Sequence, residues 1–262
     1  MKKWMKLTAL VLSLAMALSL LAGCGSSAGS DADSSTTGGD DAAKTKLVVA
    51  TSPDFPPFES LEGGQVVGIE VDILNKVAEK MGMELDIQQM DFDSVIPGVQ
   101  AGKFDVGMSG ITVTEKRKAN VDFSSVYFMA AQAIVVTADS GITGKADLEG
   151  KTVSVQTGTT AEDYCMANGY EVLAFTANND AAAALTGGKV DAWVVDNEVA
   201  LAMAPQLGLT VLDEAMTSEP YAFAFQKDSE LLSSFNEALD ALLADGTVEQ
   251  IFSDYGVTYI AP

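Results

Sequence analysis

Between Leu47 and Tyr255, apolar runs of strand length alternate with segments whose apolar residues recur at helical spacing. That rhythm restricts the possible folds more than any other feature of the chain. Strands are predicted at Leu47 to Ala50, Glu84 to Gln88, Val106 to Met108 and Ala133 to Val136, then at Thr152 to Val155, Glu171 to Phe175, Asp191 to Val195 and Tyr221 to Phe225. Helices are predicted between them, the clearest running from Ile69 through Ile73 and Val77 to Met81, where Gly82 stops it. Others follow at Ser94 to Ala101, from Glu115, at Thr160 to Asn168, Asp180 to Leu185 and Asn197 to Leu207. A closing pair is expected at Glu230 to Ala244 and Thr247 to Tyr255. Such alternation specifies α/β layers with mainly parallel sheets. The 218 residues from Thr45 onward suit one large domain or two smaller lobes.

Parallel α/β sheets bind ligands at the carboxyl ends of their strands, and polar clusters follow several strands here. Ser52 to Glu59 follows the first, with Phe55 and Phe58 among prolines. Ser109, Gly110 and Thr112 follow Val106 to Met108, with Arg117 shortly after. Gly110 has no Cβ to keep a ligand from the backbone. Arg117 offers a planar fork of donors that matches a carboxylate, and a helix opening near Thr114 adds partial positive charge. An exposed helix arginine is the bland alternative. Gln156 to Thr160 is a second anion-friendly turn, although Thr159 or Thr160 could be plain helix caps. Asp196, at the end of its strand, can accept from an ammonium group or can cap the helix that follows.

The chain contains no histidine. That excludes a Ser-His-Asp triad, a Cys-His pair and any histidine metal ligand. There is no phosphate-binding P-loop motif, and the acidic segment DADSSTTGGDD lacks the spacing of an EF-hand. No cofactor, metal or catalytic residue is expected. Gly63-Gly64 and Gly187-Gly188 read as turns. Cys24 and Cys165 are the only cysteines, and Cys165 reads as a small apolar helix residue.

At the amino end, Lys2, Lys3 and Lys6 precede an apolar stretch from Leu7 to Leu20, too short for a membrane span. Leu21-Ala22-Gly23-Cys24 then looks like a bacterial lipobox. Residues 1–23 are expected to be a cleaved signal peptide, with Cys24 lipidated. Residues 24–44, rich in Gly, Ser, Asp and Thr, are expected to form a flexible tether. Removing residues 1–23 takes away three lysines and no acid, leaving 12 basic residues against 37 acidic, a net charge of −25. So acidic a chain disfavours nucleic acid and direct binding to anionic lipid.

The motifs SPDFPPFE, VVGIEVDILNKVAEKMG, FDSVIPGVQAGKFDVGMSGITVTEKR, LEGKTVSVQTGTT, GGKVDAWVVDN and DGTVEQIFSDYG occur in that order. In combination the chain resembles the polar amino-acid-binding proteins of ABC importers, extracellular solute-binding protein family 3, from Leu47 to Tyr255. The resemblance implies a two-lobed periplasmic-binding-protein-like fold of type II, with a hinge of two crossing strands. Lobe 1 would comprise 45–131 and 223–262, and lobe 2 would comprise 132–222. It implies that Arg117 clamps the ligand carboxylate with backbone N–H groups of Thr112 and Thr160. Asp196 would receive the ammonium with the Gly110 carbonyl and the Thr112 hydroxyl. Phe55 and Phe92 would wall the ligand side chain, with Ser109 and Gln156 lining the same region. The implied partners are an amino acid, the membrane permease of an ABC importer and the bilayer through Cys24, the protein acting as a monomer on the extracytoplasmic face.

Departures from the family pattern bear on the ligand. Relatives usually have GFDVD where this chain has Gly68-Ile69-Glu70-Val71-Asp72. Those holding basic ligands often carry an aspartate at the position of Ser52, and some glutamine binders carry a lysine at Gln156 and a histidine at Val195. The ligand therefore stays open between glutamine-like and arginine-like. Two other classes are a cyclohexadienyl dehydratase-like enzyme on the same fold, and a ligand-sensing domain, which would need a membrane or effector segment beyond Pro262.

Overall fold

The computed structural model describes residues 45–262. The expected signal peptide at 1–23, the lipidated Cys24 and the tether at 24–44 lie outside the described residues. The described chain is built on two five-stranded sheets with the same plan. The first runs in the order Glu84–Gln89, Lys46–Thr51, Val106–Gly107, Ala224–Gln226, Val121–Phe123. The second runs Glu171–Phe175, Thr152–Gln156, Ala192–Asp196, Gln132–Val136, Thr210–Val211. In each, the first three strands pair in parallel and the last two join antiparallel. The sheets are thus mixed rather than mainly parallel. Helical crossovers make the parallel part. In the first sheet, Ala224–Gln226 arrives from far along the sequence and runs the other way. In the second, Gln132–Val136 does so at the start of its half.

The chain leaves the first sheet after Phe123 and returns to it at Ala224. Between these points Phe128–Ala130 and Glu219–Tyr221 pair as a two-stranded antiparallel ribbon. The single strand predicted at Tyr221 to Phe225 is therefore two short strands, because the chain passes there from ribbon to sheet. The ribbon is packed into the largest aromatic cluster. Phe128 stacks on Phe252 of the last helix, Thr247–Asp254, with centroids 4.5 Å apart. Phe58 meets Tyr221 edge-on at 5.2 Å. Each such fully buried ring contributes about 1.5–3 kcal/mol of transfer free energy, so the ribbon is firmly seated.

Helix Ile69–Met81 follows its apolar spacing, burying Ile69, Ile73 and Val77, and ends at Gly82 with φ of 66°. Its entry needs Gly68: φ is 139°, and a Cβ there would sit 2.2 Å from the Phe58 carbonyl oxygen. The predicted loop after the first strand is instead a small meander of Asp54–Phe55, Glu59–Glu62 and Gln65–Val67. Helix Glu115–Lys118 is a single turn, so the helix-dipole contribution expected near Thr114 is small, the dipole being a sum over aligned peptides. Cys165 is buried in helix Thr160–Ala167, where burial pushes its thiol up to about 12. It is the inert apolar residue its surroundings suggested. No described helix is long and apolar enough to cross a membrane.

Candidate functional site

Four groups of side chains link elements of the two sheets. The first is built on the turn after Val106–Gly107. Thr114 caps the short helix by accepting from the Arg117 amide at 3.1 Å. That directs the Arg117 side chain back into the protein, where it is 9% exposed. One guanidinium nitrogen donates to the Thr112 carbonyl at 2.9 Å, and another reaches the Gly158 carbonyl at 3.1 Å, beyond the second sheet's strand Thr152–Gln156. The guanidinium lies over the Phe92 ring, 5.5 Å from its centroid. Burial pulls the Arg117 pKa down, while Glu219 and Asp196 push it up. The group remains a cation. The exposed-arginine alternative is thereby removed.

Behind this turn is a wholly buried acid pair. Gly110 has φ of 53°, and a Cβ there would stand 2.4 Å from the Phe55 ring. The Gly110 amide donates to Glu70 at 2.9 Å. The Ser109 hydroxyl lies 2.9 Å from a Glu59 oxygen and accepts from the Ser52 amide at 3.2 Å. The Tyr127 hydroxyl donates to Glu70. Burial, and then the neighbouring Glu70, raise the Glu59 carboxyl well above its ordinary value. Ser109 thus anchors the turn, joining it to the loop that carries Ser52 and Phe55.

The third group centres on Asp196, 7% exposed. It occupies the N-cap position of helix Asn197–Met203, yet its side chain makes no capping bond. It accepts from Gln132 and from the Tyr221 hydroxyl, the latter at 2.5 Å. Gln132 also reaches the Thr160 hydroxyl at 3.2 Å. Burial pushes the Asp196 carboxyl up to about 8, reinforced by the charge of Glu219 and opposed by the Tyr221 hydrogen bond and Arg117. The plain cap of the neighbouring helix is Thr159, which accepts from the Glu162 amide. Thr160 is free for the Asp196 network. A β-bridge between Thr112 and Tyr221 links the Arg117 turn to this network.

The fourth group ties Gln156 to Asp54. Gln156 accepts from Asn178 at 2.8 Å and approaches Asp54 at 3.4 Å. The Asn178 backbone N–H, at the start of helix Asn178–Thr186, donates to Asp54 at 2.7 Å. Ala177, at the cap position, makes no side-chain cap, so a carboxylate from the first sheet's side caps a helix on the second. Lys116 of the short helix and Asp163 of helix Thr160–Ala167 also pair at 2.9 Å, an exposed pair worth about 0–1 kcal/mol.

All nine ligand-contact candidates therefore fall in one web, although Arg117 and Asp196 share no direct bond. Sequence reasoning missed Gln132, Tyr221, Glu219 and Asn178. Gln132 carried a signal, as the lone amide opening the strand QAIVV, all of it buried. Tyr221 read only as a strand aromatic. Among the described residues, no cluster of acidic and cysteine side chains is placed to hold a metal ion.

Residues 47–258 match the model of the bacterial extracellular solute-binding proteins, family 3. The arginine-binding extracellular protein ArtP of Bacillus subtilis is 34% identical over 259 residues, covering 96% of each chain. An ancestral arginine-binding protein solved with glutamine superposes with a TM-score of 0.77 at 41% identity, covering 81% of this chain and 98% of that one. An ancestral amino acid-binding protein described as a precursor of cyclohexadienyl dehydratase gives 0.75 at 34% identity, covering 80% and 95%.

Proposed function

Since the chain belongs to the bacterial extracellular solute-binding proteins of family 3, we propose that it captures a polar L-amino acid, glutamine-like or arginine-like, between two lobes and delivers it to the permease of an ABC importer. The observation that carries this reading is the pairing of a buried cation and a buried carboxylate on opposite halves. Arg117 follows the first sheet and Asp196 ends a strand of the second. A zwitterion satisfies both at once. Its carboxylate takes the guanidinium fork and the amides of Thr112 and Thr160. Its ammonium takes Asp196, the Gly110 carbonyl and the Thr112 hydroxyl. Phe55, Phe92, Ser109 and Gln156 are left to face the side chain.

On this reading lobe 1 is 45–131 with 223–262, and lobe 2 is 132–222. Neither completes the site alone, so ligand selects the closed hinge. The bonds from Arg117 to Gly158 and from Asp54 to Asn178 support this, since they span the gap. Cleavage after residue 23 and lipidation of Cys24 would hold a monomer on the outer face of the membrane.

A thermal-shift screen of the twenty amino acids tests the reading, because a ligand that binds the native state raises Tm with its concentration. A hit is expected among glutamine, arginine, lysine and histidine, with compaction by small-angle scattering. No shift with any amino acid would overturn it. The raised pKa of Asp196 favours an enzyme, since a protonated carboxyl can act as a general acid. Turnover of prephenate or arogenate would establish that alternative.

A further inference from the structure

Two carboxyls take no part in the clamp just described, yet they hold the turn that carries it. Glu59, on the meander strand Glu59–Glu62, and Glu70, in the first turn of helix Ile69–Met81, are both 0% exposed. Their side chains are hydrogen-bonded to each other. Two carboxylates are acceptors only, so that bond exists only if one of them carries a proton. The charges acting most on Glu59 are those of Glu70 and Asp54, both negative. Tyr127 is the other titratable group against the pair, with its hydroxyl on Glu70.

The hydrogen-bond partners locate the proton. Both oxygens of Glu70 accept, one from the Gly110 amide at 2.9 Å and the other from the Tyr127 hydroxyl. Glu70 also stands at the amino end of a 13-residue helix, whose partial positive charge favours an ionised group. Glu59 takes the Ser109 hydroxyl on Oε1 at 2.9 Å, and its Oε2 is buried without a donor. A proton on that oxygen gives it a partner in Glu70 and removes one of two adjacent buried charges. Resting on the amino-acid-binding reading above, we propose that Glu59 and Glu70 share one proton, resident on Glu59, and act as positioning residues that hold the Ser109–Gly110 turn in shape for the ligand. The pair grips successive residues, Ser109 through Glu59 and Gly110 through Glu70. Glu59 also pairs with Phe55 across the meander. Ser109, Gly110 and Phe55, all assigned to the ligand, are thus tied to one carboxyl pair.

Glu59→Gln keeps an acceptor for Ser109 and a donor for Glu70. Glu70→Gln instead removes one of the two acceptors that the Gly110 amide and the Tyr127 hydroxyl need. Calorimetry on the full chain in detergent, with L-arginine, L-lysine, L-histidine and L-glutamine as probes, should find Glu59→Gln within about threefold of wild type. Glu59→Ala and Glu70→Gln should be weakened about tenfold or more, the scale of a buried group left unpaired. Infrared spectra at pH 7 should show the carbonyl stretch of a protonated carboxyl that Glu59→Gln removes. The melting transition of each unliganded variant reports its fold. A lowered melting temperature with unchanged affinity in Glu70→Gln would overturn the positioning role, leaving the pair as structural support only. Equal losses in Glu59→Gln and Glu70→Gln, or an infrared band unchanged in Glu59→Gln, would overturn the shared proton. Should Glu59→Ala or Glu70→Gln fail to fold, Glu59→Gln and the infrared band still decide. Wild-type protein that binds none of the four amino acids would instead remove the underlying reading and the positioning role with it, while the infrared band still shows where the proton sits.

Discussion

Binding should release a proton, and Asp196 sets how much. Its carboxyl is held up to about 8 by burial and by Glu219. At pH 7 such a group is about 0.9 protonated, at pH 6 about 0.99 and at pH 8 about half. An ammonium arriving beside it favours the ionised form. Binding at pH 7 should therefore expel close to one proton, and affinity should fall about fiftyfold from pH 8 to pH 6. The stability of the unliganded protein runs the other way. The folded pKa lies above the ordinary value of 3.8, so the contribution of Asp196 is fully present below about pH 4 and is lost as pH rises through 8. Titrating the best amino acid into the protein in phosphate and in Tris at each pH measures the proton directly, because the observed enthalpy shifts with the ionisation enthalpy of the buffer. A flat affinity between pH 6 and 8 with no buffer dependence would refute the reasoning and place Asp196 away from the ammonium.

Arg117→Ala should cost about 2–5 kcal/mol of ligand binding, because it strands a buried carboxylate. Arg117→Lys should fail nearly as badly, a point charge being unable to reach Thr112, Gly158 and the ligand together. Calorimetry on the soluble chain from residue 25 measures both, and near-wild-type affinity in Arg117→Ala would take Arg117 out of the site. Gly110→Ala should lower folding stability by about 1–3 kcal/mol, because a left-handed φ and a Cβ 2.4 Å from the Phe55 ring must both be accommodated. Urea unfolding reads it, and an unchanged midpoint would contradict the close packing of the turn. Cys24→Ser should abolish fatty-acid labelling while leaving ligand binding unaffected, and label persisting on that variant would contradict the lipobox.

What the sequence made legible follows from the range of each interaction. Helix Ile69–Met81 is found to the residue because its signals are local: a period of apolar residues and a stopping glycine. Asp196 stands out as a charge ending an apolar strand, and Arg117 as one shortly after the small-residue turn that follows another. Gln132, Tyr221 and Glu219 do not, because their meaning depends on pairing across distant parts of the chain. Tyr221 reaches Asp196 over 25 positions and Gln132 reaches it over 64. The same distinction explains the sheets. The alternating rhythm reveals parallel crossovers, which are local in sequence. It is silent about Ala224–Gln226, which completes the first sheet more than a hundred residues after Val106–Gly107.

The division of the first sheet between distant parts of the chain has a mechanical consequence. Ala224–Gln226 pairs with Val106–Gly107 and Val121–Phe123, so the first half cannot finish until the second half has been made. The two passages between halves are drawn together as the Phe128–Ala130 and Glu219–Tyr221 ribbon. That ribbon is fixed to the first half by aromatic packing of Phe128 and Tyr221 against Phe58. It touches the second half through the Tyr221 hydroxyl on Asp196. Rotation of the second half relative to the first would thus act on polar contacts, the Tyr221 hydroxyl on Asp196 and the bonds between Ala131 and Asn197, while the buried rings hold their places. On the proposed reading Asp196 is the group that the ligand's ammonium would engage, so the ligand would compete for, or reinforce, one of the contacts that tie the second half to the ribbon. Recognition and closure would then be one event at one carboxylate.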